Sequence, residues 1–404
     1  MNRADDVAEL RLLLRGMLRD NDPNEPTGVL VKGDSGVGKS IFSRQVIRDL
    51  KTELSNKLVV LEVDGGKLNG VRGLLKKLSK LTLEEIARLN EPELLRQAHT
   101  LTEIADYGKI SSSQISQITS GATVGGEIGG SFWGLLTTKV TSSLTGSETT
   151  SRTEAYEIQV TDDYLSELLN AILRQMQASG YQVLIFLDNL DRIGRTDSKE
   201  EADAIAAFLK ELMAFSSCVL LLNLRTQFAH HTTDRRGLQT MALDGLSKEA
   251  LLDILDKRLV AYDLSETDKQ KLDAVGFHQI AEDLAELTGN ALAFLRWLDF
   301  WLTRTSNSRD NLAQDFKKYL RNNYPGVPPN WLKEAVKILR QARADSMDYA
   351  SLSSMPPEQV AQLERAAAIE PDDLMTEPIK RRYRLTHSLD FLLDPQDRFA
   401  DALK

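Results

Sequence analysis

An α/β fold with a parallel sheet is predicted for the first part of this chain of 404 residues. Three observations predict it: one apolar run ends in a glycine-rich loop, a later one ends in an aspartate, and helical patterns lie between such runs. After the last apolar run the pattern becomes helical. We therefore expect the sheet domain to be followed by an α-helical lid and a small C-terminal helical or winged-helix domain.

The glycine-rich loop has the G-x-x-x-x-G-K-S spacing of a phosphate-binding loop (P-loop, Walker A motif). Its glycines permit positive φ, so successive backbone N–H groups can turn inward and bind an anion at a helix N-terminus. Lys39 would reach the β- and γ-phosphates of ATP, and the Ser40 hydroxyl would bind Mg²⁺. A turn that binds nothing is the alternative, but strand, loop and helix follow in the required order. The residues predicted to bind the nucleotide here are Gly33, Asp34, Ser35, Gly36, Val37, Gly38, Lys39 and Ser40.

A second apolar run, Val183–Leu187, is followed directly by Asp188. Such a run is typical of a buried central parallel strand that carries a carboxylate at its C-terminal end. An incidental terminal aspartate is the alternative, and the upstream P-loop argues against it. Asp188 is therefore the predicted Walker B residue, which with Ser40 would hold Mg²⁺.

A third apolar run, starting at Cys218, ends at Asn223 and is followed by Arg225. A polar residue at the tip of this strand can sense the γ-phosphate, so both Asn223 and Arg225 are candidates. The alternative is that they are ordinary polar residues at the end of a strand.

Composition excludes several classes of protein. The net charge of −9 argues against a surface built for non-specific nucleic-acid binding, although it allows a local basic patch. The single cysteine, Cys218, lies in an apolar run and excludes a disulfide framework or a cysteine zinc site. No apolar run is long enough to span a membrane, and the N-terminus carries no apolar signal segment. We therefore expect a cytoplasmic protein without a transmembrane segment.

Domain boundaries are predicted from changes in pattern. Residues 1–245 would form the nucleotide-binding domain, residues 246–324 the helical lid, and residues 325–404 the C-terminal domain. Residues 107–153 would be an insertion in the first domain, because they are mostly Gly, Ser and Thr. Two interpretations of it stay open: a mobile or β-hairpin insertion that makes contacts, and a passive disordered loop.

A basic cluster with one aromatic residue stands near the C-terminus: Lys380, Arg381, Arg382, Tyr383 and Arg384. In a winged helix this stretch would lie along the phosphate backbone of DNA. The alternative is that these charges balance acidic neighbours such as Glu370 and Asp372. The nearly equal number of local acidic residues favours this alternative, or a contact with a protein, over binding to DNA.

Several of these features together resemble the AAA+/STAND division of P-loop ATPases. Leu187–Arg192 is similar to the Asp-Asp-Leu-Asp-Arg signature of the KAP group, whose members also tend to carry a large insertion between the two motifs. Residues 243–249 look like the strand-to-lid junction of these families, and Thr288–Leu292 looks like the lid segment that carries the sensor 2 residue, here Arg296. The resemblance implies ATP and Mg²⁺ as cofactors, with the nucleotide between the sheet domain and the lid.

One residue departs from the pattern of these families. The position after the Walker B aspartate is usually acidic and is Asn189 here. An amide cannot act as a general base toward the attacking water, although it can orient that water by hydrogen bonds. Asp191 would take over this role or would pair with Arg192. We therefore expect slow ATP hydrolysis or a nucleotide-controlled switch, with Arg225 as a further catalytic candidate.

The resemblance leaves three functions open. The first is a regulatory or assembly ATPase, with a homo-oligomer or a protein effector as partner. STAND and KAP proteins of bacteria frequently belong to antiviral defence systems, so a role there is among those that the resemblance implies. The second is a DNA-binding ATPase similar to origin-recognition or transposition ATPases. The third is a non-hydrolysing scaffold that binds ATP for stability. In an oligomer an arginine of a neighbouring subunit would complete the site, and the candidates are Arg192, Arg225, Arg235 and Arg236.

Overall fold

The computed structural model describes residues 3–20, 27–111, 131–145, 158–190, 205, 207–229, 237–304, 311–372 and 380–404. The strands in these ranges are β1 Thr27–Lys32, β2 Leu58–Asp64, β3 Lys109–Ile110, β4 Ile158–Gln159, β5 Gln182–Asp188, β6 Val219–Leu224, β7 Leu238–Ala242, β8 Ala350–Ser351, β9 Ile369–Pro371 and β10 Arg382–Leu385. The longer helices are α1 Ala4–Arg19, α2 Lys39–Leu54, α3 Gly70–Ile86, α4 Pro92–Tyr107, α5 Phe132–Thr145, α6 Asp162–Ala178, α7 Lys248–Ala261, α8 Glu266–Ala274, α9 Phe277–Ala285, α10 Ala291–Arg304, α11 Leu312–Asn323, α12 Pro329–Ala344 and α13 Pro357–Arg365.

Five strands form a parallel sheet in the order β2-β5-β6-β1-β7. The carboxyl ends of parallel strands meet at one edge of a sheet, so the loop after β1 lies beside the ends of β5 and β6. The register of β2 and β5 also aligns Asp64 with Asp188 at this edge. The predicted α/β fold with a parallel sheet is confirmed.

The two faces of the sheet are covered by different helices, and this explains the unbroken apolar runs of its central strands. In β5, Leu184 and Phe186 belong to the core shared with α1 and α2, while Ile185 and Leu187 belong to the core shared with α3, α4 and α6. Cys218, predicted to be a buried apolar residue, is fully buried in the second of these cores.

The predicted insertion contains a helix. Phe132, Leu136 and Val140 of α5 are buried in the sheet-domain core, at the spacing of four residues that places side chains on one helix face. β3, near the start of the insertion, forms a short antiparallel pair with β4, which follows the insertion in the chain. The β-hairpin interpretation is therefore wrong for residues 132–145, because the apolar residues follow a helical period. Residues 112–130 and 146–153 lie outside the described residues.

Helices α7 to α11 and the C-terminal region share one apolar core. At its centre, Phe316 of α11 packs against Trp297 of α10 and against Phe391 and Phe399 of the C-terminal region. The lid and the C-terminal region are thus joined by aromatic packing. The boundary expected between residues 324 and 325 stays a prediction. Among the described residues, no helix is long and apolar enough to cross a membrane.

The C-terminal region has the element order helix, strand, helix, strand, strand in α12, β8, α13, β9 and β10. Its three short strands form an antiparallel sheet in the order β8-β10-β9. The winged-helix form stays a prediction for this region. β10 contains three of the five residues of the basic cluster noted in the sequence.

Candidate nucleotide-binding site

The P-loop joins β1 to α2 through backbone conformations that favour glycine. Gly36 has φ 84° and Gly38 has φ 99°, and Gly38 is the residue from which α2 starts. Gly36 is also closely approached: a Cβ built on it would lie 2.4 Å from Asn290 Oδ1. The Lys39 ammonium donates hydrogen bonds to the carbonyl oxygens of Gly33 (2.7 Å) and Asp34 (2.9 Å), so it is held within the loop.

Asp188 lies at the centre of a buried hydrogen-bond network beside the loop. The residue is only 2% exposed. Its Oδ1 accepts hydrogen bonds from Ser40 Oγ at 2.8 Å, Asn223 Nδ2 at 3.0 Å and the Asn189 backbone N–H at 3.0 Å. Its Oδ2 accepts one from Arg44 Nη2 at 3.1 Å. The structure thus brings together the predicted residues Ser40, Asp188 and Asn223.

Ser40 and Asp188 fit the Mg²⁺ role predicted for them. A hydroxyl and a carboxylate are hard oxygen ligands, and Mg²⁺ commonly takes one or two protein oxygens together with waters and substrate phosphates. The described residues contain no group of three or more His, Cys, Asp or Glu side chains that could hold a metal ion by themselves. Mg²⁺ bound with a nucleotide would neutralise phosphate charge here.

Arg44 was missed by the sequence analysis. It extends from α2 to Asp188, and its Nε also donates to Glu62 Oε1 at 2.8 Å. The signal was available, because Arg44 follows Ser40 by four residues on the same helix and so lies on the same face. Its positive charge compensates the buried Asp188 carboxylate.

The two candidates at the end of β6 differ in position. Asn223 is buried, accepts a hydrogen bond from Ser43 Oγ at 2.8 Å and donates to Asp188. It therefore connects α2 to the Walker B strand. Arg225 is half-buried and precedes the helical turn Thr226–Ala229.

Asn189 reaches from the end of β5 to the end of β2. Its backbone has φ 56°, a left-handed conformation that asparagine tolerates better than most residues. Its Nδ2 donates to Asp64 Oδ1 at 3.0 Å. The other predicted residues of this region, Asp191, Arg192, Arg235 and Arg236, lie outside the described residues.

The lid contacts the P-loop through Asn290. Its Nδ2 donates to the Ser35 carbonyl, and its Oδ1 accepts from the Ala293 backbone N–H at 3.0 Å. The sequence had instead singled out Arg296, which is exposed on α10. Asn290 stands inside the Thr288–Leu292 segment noted in the sequence, and the role expected for Arg296 stays a prediction.

The C-terminal region contacts the P-loop through Asp34. The sequence predicted Asp34 as a nucleotide-binding residue but did not predict this contact. Both Asp34 oxygens accept from Arg384, Oδ2 from Nη1 and Oδ1 from Nη2, each at 2.6 Å. Asp34 Oδ2 also lies 3.1 Å from His387 Nε2. Glu370, 3.1 Å from Arg384 Nη2, and Asp390, 2.7 Å from His387 Nδ1, complete this group, which we call the Asp34 cluster.

Protonation in the Asp34 cluster is set by its hydrogen bonds. Burial raises the pKa of the Asp34 carboxyl, but the bonds from His387 and Arg384 outweigh it and hold the pKa well below its usual range. Burial by itself would lower the pKa of His387. The hydrogen bonds to Asp34 and Asp390 outweigh burial and the nearby Arg384, and they raise the pKa to about 9. At neutral pH His387 is therefore an imidazolium between two carboxylates.

This pKa predicts that the contact depends on pH. In the unfolded chain His387 has an ordinary pKa of about 6.5. Its folded pKa is raised, so its contribution to stability is fully present below about pH 6.5 and is lost as pH rises through about 9. The contribution amounts to about 3 kcal/mol. We expect the difference in thermal midpoint between wild type and His387→Gln to shrink between pH 6.5 and pH 10. His99→Gln is the matched control, since His99 is exposed on α4 and lies outside the Asp34 cluster.

A cavity of about 150 Å³ adjoins the P-loop. It lies between the loop, the start of the lid and the C-terminal region. Two glycines at its wall, Gly245 and Gly289, pack backbone to backbone, and Leu246 N–H donates to the Gly289 carbonyl at 2.7 Å. Other residues that line the cavity are Asp34, Val37, Asn290, Arg343, Arg384 and His387.

The basic cluster is paired within the chain. Arg381 contacts Glu364 at 3.0 Å, and Arg382 contacts Asp372 at 2.9 Å. Arg384 contacts Asp34 and Glu370. These pairs favour the interpretation in which neighbouring carboxylates balance the cluster, and one of the pairing carboxylates lies in the P-loop.

Comparison with known proteins gives a family match. A model described as the KAP family P-loop domain matches residues 12–224. No curated protein matches the sequence.

Several solved structures are similar in fold. One is the ORC2 protein of Aeropyrum pernix, with 10% identity and a TM-score of 0.42 over 99% of this chain and 93% of that one. Another is a Walker-type ATPase of Pyrococcus abyssi, with 11% identity and a TM-score of 0.42 over 97% of this chain and 95% of that one. A third is a signal transduction ATPase with numerous domains (STAND) from Pyrococcus horikoshii, with 11% identity and a TM-score of 0.31 over 98% of this chain and 42% of that one. Identity at this level says nothing of ligand or partner.

Proposed function

We propose that this chain, which belongs to the KAP family of P-loop NTPases, binds Mg-ATP at the P-loop, hydrolyses it slowly and uses the bound nucleotide to control the C-terminal region. The observation that carries this proposal is the position of Asp34. One residue of the phosphate-binding loop is held by two cationic side chains from the far end of the chain, Arg384 and His387.

Phosphate binding and the Asp34 contact share one short loop. ATP brings several negative charges to this loop, next to Asp34 and its two cations. The nucleotide therefore changes the electrostatic free energy of the Asp34 cluster, and by reciprocity the cluster changes the affinity for nucleotide. The lid contact from Asn290 to Ser35 lies in the same loop and would respond with it.

The resemblance of the sequence to the AAA+/STAND division indicates how such a contact would be used. A nucleotide-controlled contact suits a regulatory or assembly ATPase that works as a homo-oligomer or with a protein effector, including a role in bacterial antiviral defence. The ion pairs made by Arg381 and Arg382 give the DNA-binding alternative no support. The cavity beside Gly245 and Gly289 would receive the nucleoside part of ATP.

Calorimetry combined with hydrogen exchange tests this function. We expect ATP to bind in the presence of Mg²⁺ and to change amide exchange in residues 380–393, which contain Arg384 and His387. Exchange in α4, which lies away from the P-loop, should stay unchanged. Binding without any change in residues 380–393 would contradict control of the C-terminal region. A folded protein that binds no ATP would contradict the function itself.

A further inference from the structure

A second carboxylate stands beside Asp188 at the nucleotide edge of the sheet. Asp64 is the last residue of β2, and its Cα is paired in register with that of Asp188. Neighbouring strands lie about 4.8 Å apart, so the two residues are direct neighbours. Asp64 differs from Asp188 in access to water, since its side chain is 36% exposed and that of Asp188 is 3% exposed.

Asn189 connects the two carboxylates. Its backbone N–H donates to Asp188 Oδ1, and its side-chain Nδ2 donates to Asp64 Oδ1 at 3.0 Å. One of the two N–H donors of the amide is thus used by Asp64, and the amide oxygen accepts hydrogen bonds but no proton at neutral pH. A carboxylate on the adjacent strand, Asp64, therefore lies beside the position at which the usual motif has its second acidic residue.

We propose that Asp64 accepts the proton of the attacking water in ATP hydrolysis, with Asn189 as the residue that positions it. This role presupposes the hydrolysis proposed for the site. In that step the water oxygen forms a bond to the γ-phosphorus, and the bond between this phosphorus and the β,γ-bridging oxygen breaks. The electron pair of the broken bond leaves with ADP, and the water proton moves to the Asp64 carboxylate, which releases it to the product phosphate or to solvent.

A structural role is the competing explanation. Asp64 Oδ1 also accepts from the Gly66 backbone N–H at 3.2 Å, and Oδ2 lies 3.5 Å from Lys67 Nζ. These contacts hold the short turn after β2. Asp64→Asn separates the two explanations, because the amide oxygen can still accept from Gly66 and Asn189 while the basic carboxylate is lost.

The test measures turnover and affinity separately. We expect Asp64→Asn to lower kcat at saturating Mg-ATP by about 100-fold or more, the size of general-base contributions, and to leave the Kd for ATP within about threefold. Asp64→Glu, which restores a carboxylate, should have a kcat at least about tenfold higher than that of Asp64→Asn. Asp244→Asn is the matched control: Asp244 is exposed just after β7, the strand of the same sheet that lies farthest from β2, and this change should leave kcat unaltered.

Each other outcome has a distinct meaning. Unchanged kcat in Asp64→Asn, together with loss of kcat in Asp191→Asn, would overturn the role of Asp64 and leave the proposed hydrolysis intact. Equal loss of kcat in the Asn and Glu variants would also overturn it, in favour of a structural role. A wild-type protein that binds ATP without turnover would overturn both the hydrolysis and the role of Asp64.

Discussion

Replacing Lys39 with alanine should abolish ATP binding while the protein stays folded. The Lys39 ammonium donates to two carbonyl oxygens of its own loop and is the cation placed within the phosphate-binding turn. A hydrogen bond to a charged group contributes about 1.5–3 kcal/mol, and an ammonium in this position can make more than one to the phosphates. We therefore expect the Kd for ATP, measured by calorimetry, to rise by more than about 100-fold.

The fold should tolerate this change, because Lys39 is half-buried and its ammonium is bonded to carbonyl oxygens of its own loop. Lys51→Ala provides the matched control, since Lys51 is exposed near the other end of the same helix, α2. It removes the same charge and should leave the Kd unaltered. A folded Lys39→Ala protein with wild-type affinity would refute nucleotide binding at this loop.

The sheet and the loop were predictable because their signals are local. A buried parallel strand reads as a short unbroken apolar run, and the P-loop spacing directly follows one such run. Helix α5 was harder to predict, since its many Ser, Thr and Gly residues conceal the spacing of Phe132, Leu136 and Val140. The composition of residues 132–145 indicates a loop, whereas the spacing of their apolar residues indicates a helix.

Contacts between distant segments were not predictable from local patterns. Asp34 and Arg384 are 350 positions apart, and Ser35 and Asn290 are 255 positions apart. Only the docking of the lid and the C-terminal region onto the sheet domain brings these residues together. Asp64 was missed for a related reason: it is the end of a strand in the sequence, and its chemistry appears only when the register places it opposite Asp188.

Arg384→Ala is expected to destabilise the nucleotide-free protein by about 3 kcal/mol. The Arg384 side chain is 15% exposed and makes a two-pronged pair with Asp34 as well as a contact to Glu370. Its removal takes a cation away from two partly buried carboxylates, Asp34 and Glu370, and breaking a buried pair in this way costs more than the pair itself contributes. Thermal unfolding monitored by calorimetry measures the loss.

Arg382→Ala is the matched control for this prediction, since it changes the same residue type two positions away on the same strand. Arg382 is 61% exposed and pairs with Asp372 at the surface. An exposed pair of this kind contributes at most about 1 kcal/mol, so this variant should stay close to wild type. If both substitutions destabilise the protein equally, the loss of stability comes from disruption of β10 and not from loss of the Asp34 contact.

A double-mutant cycle isolates the contact itself. Asp34→Asn removes the charge that Arg384 faces, so the double variant should be less destabilised than the sum of the two single changes, by about 1–3 kcal/mol. The Asp34 contact and the phosphates share one loop, so we expect this coupling free energy to change when saturating Mg-ATP is added to all four proteins. If the coupling free energy is the same with and without Mg-ATP, the C-terminal contact stabilises the fold without responding to ATP. That result would separate the two functions of the loop.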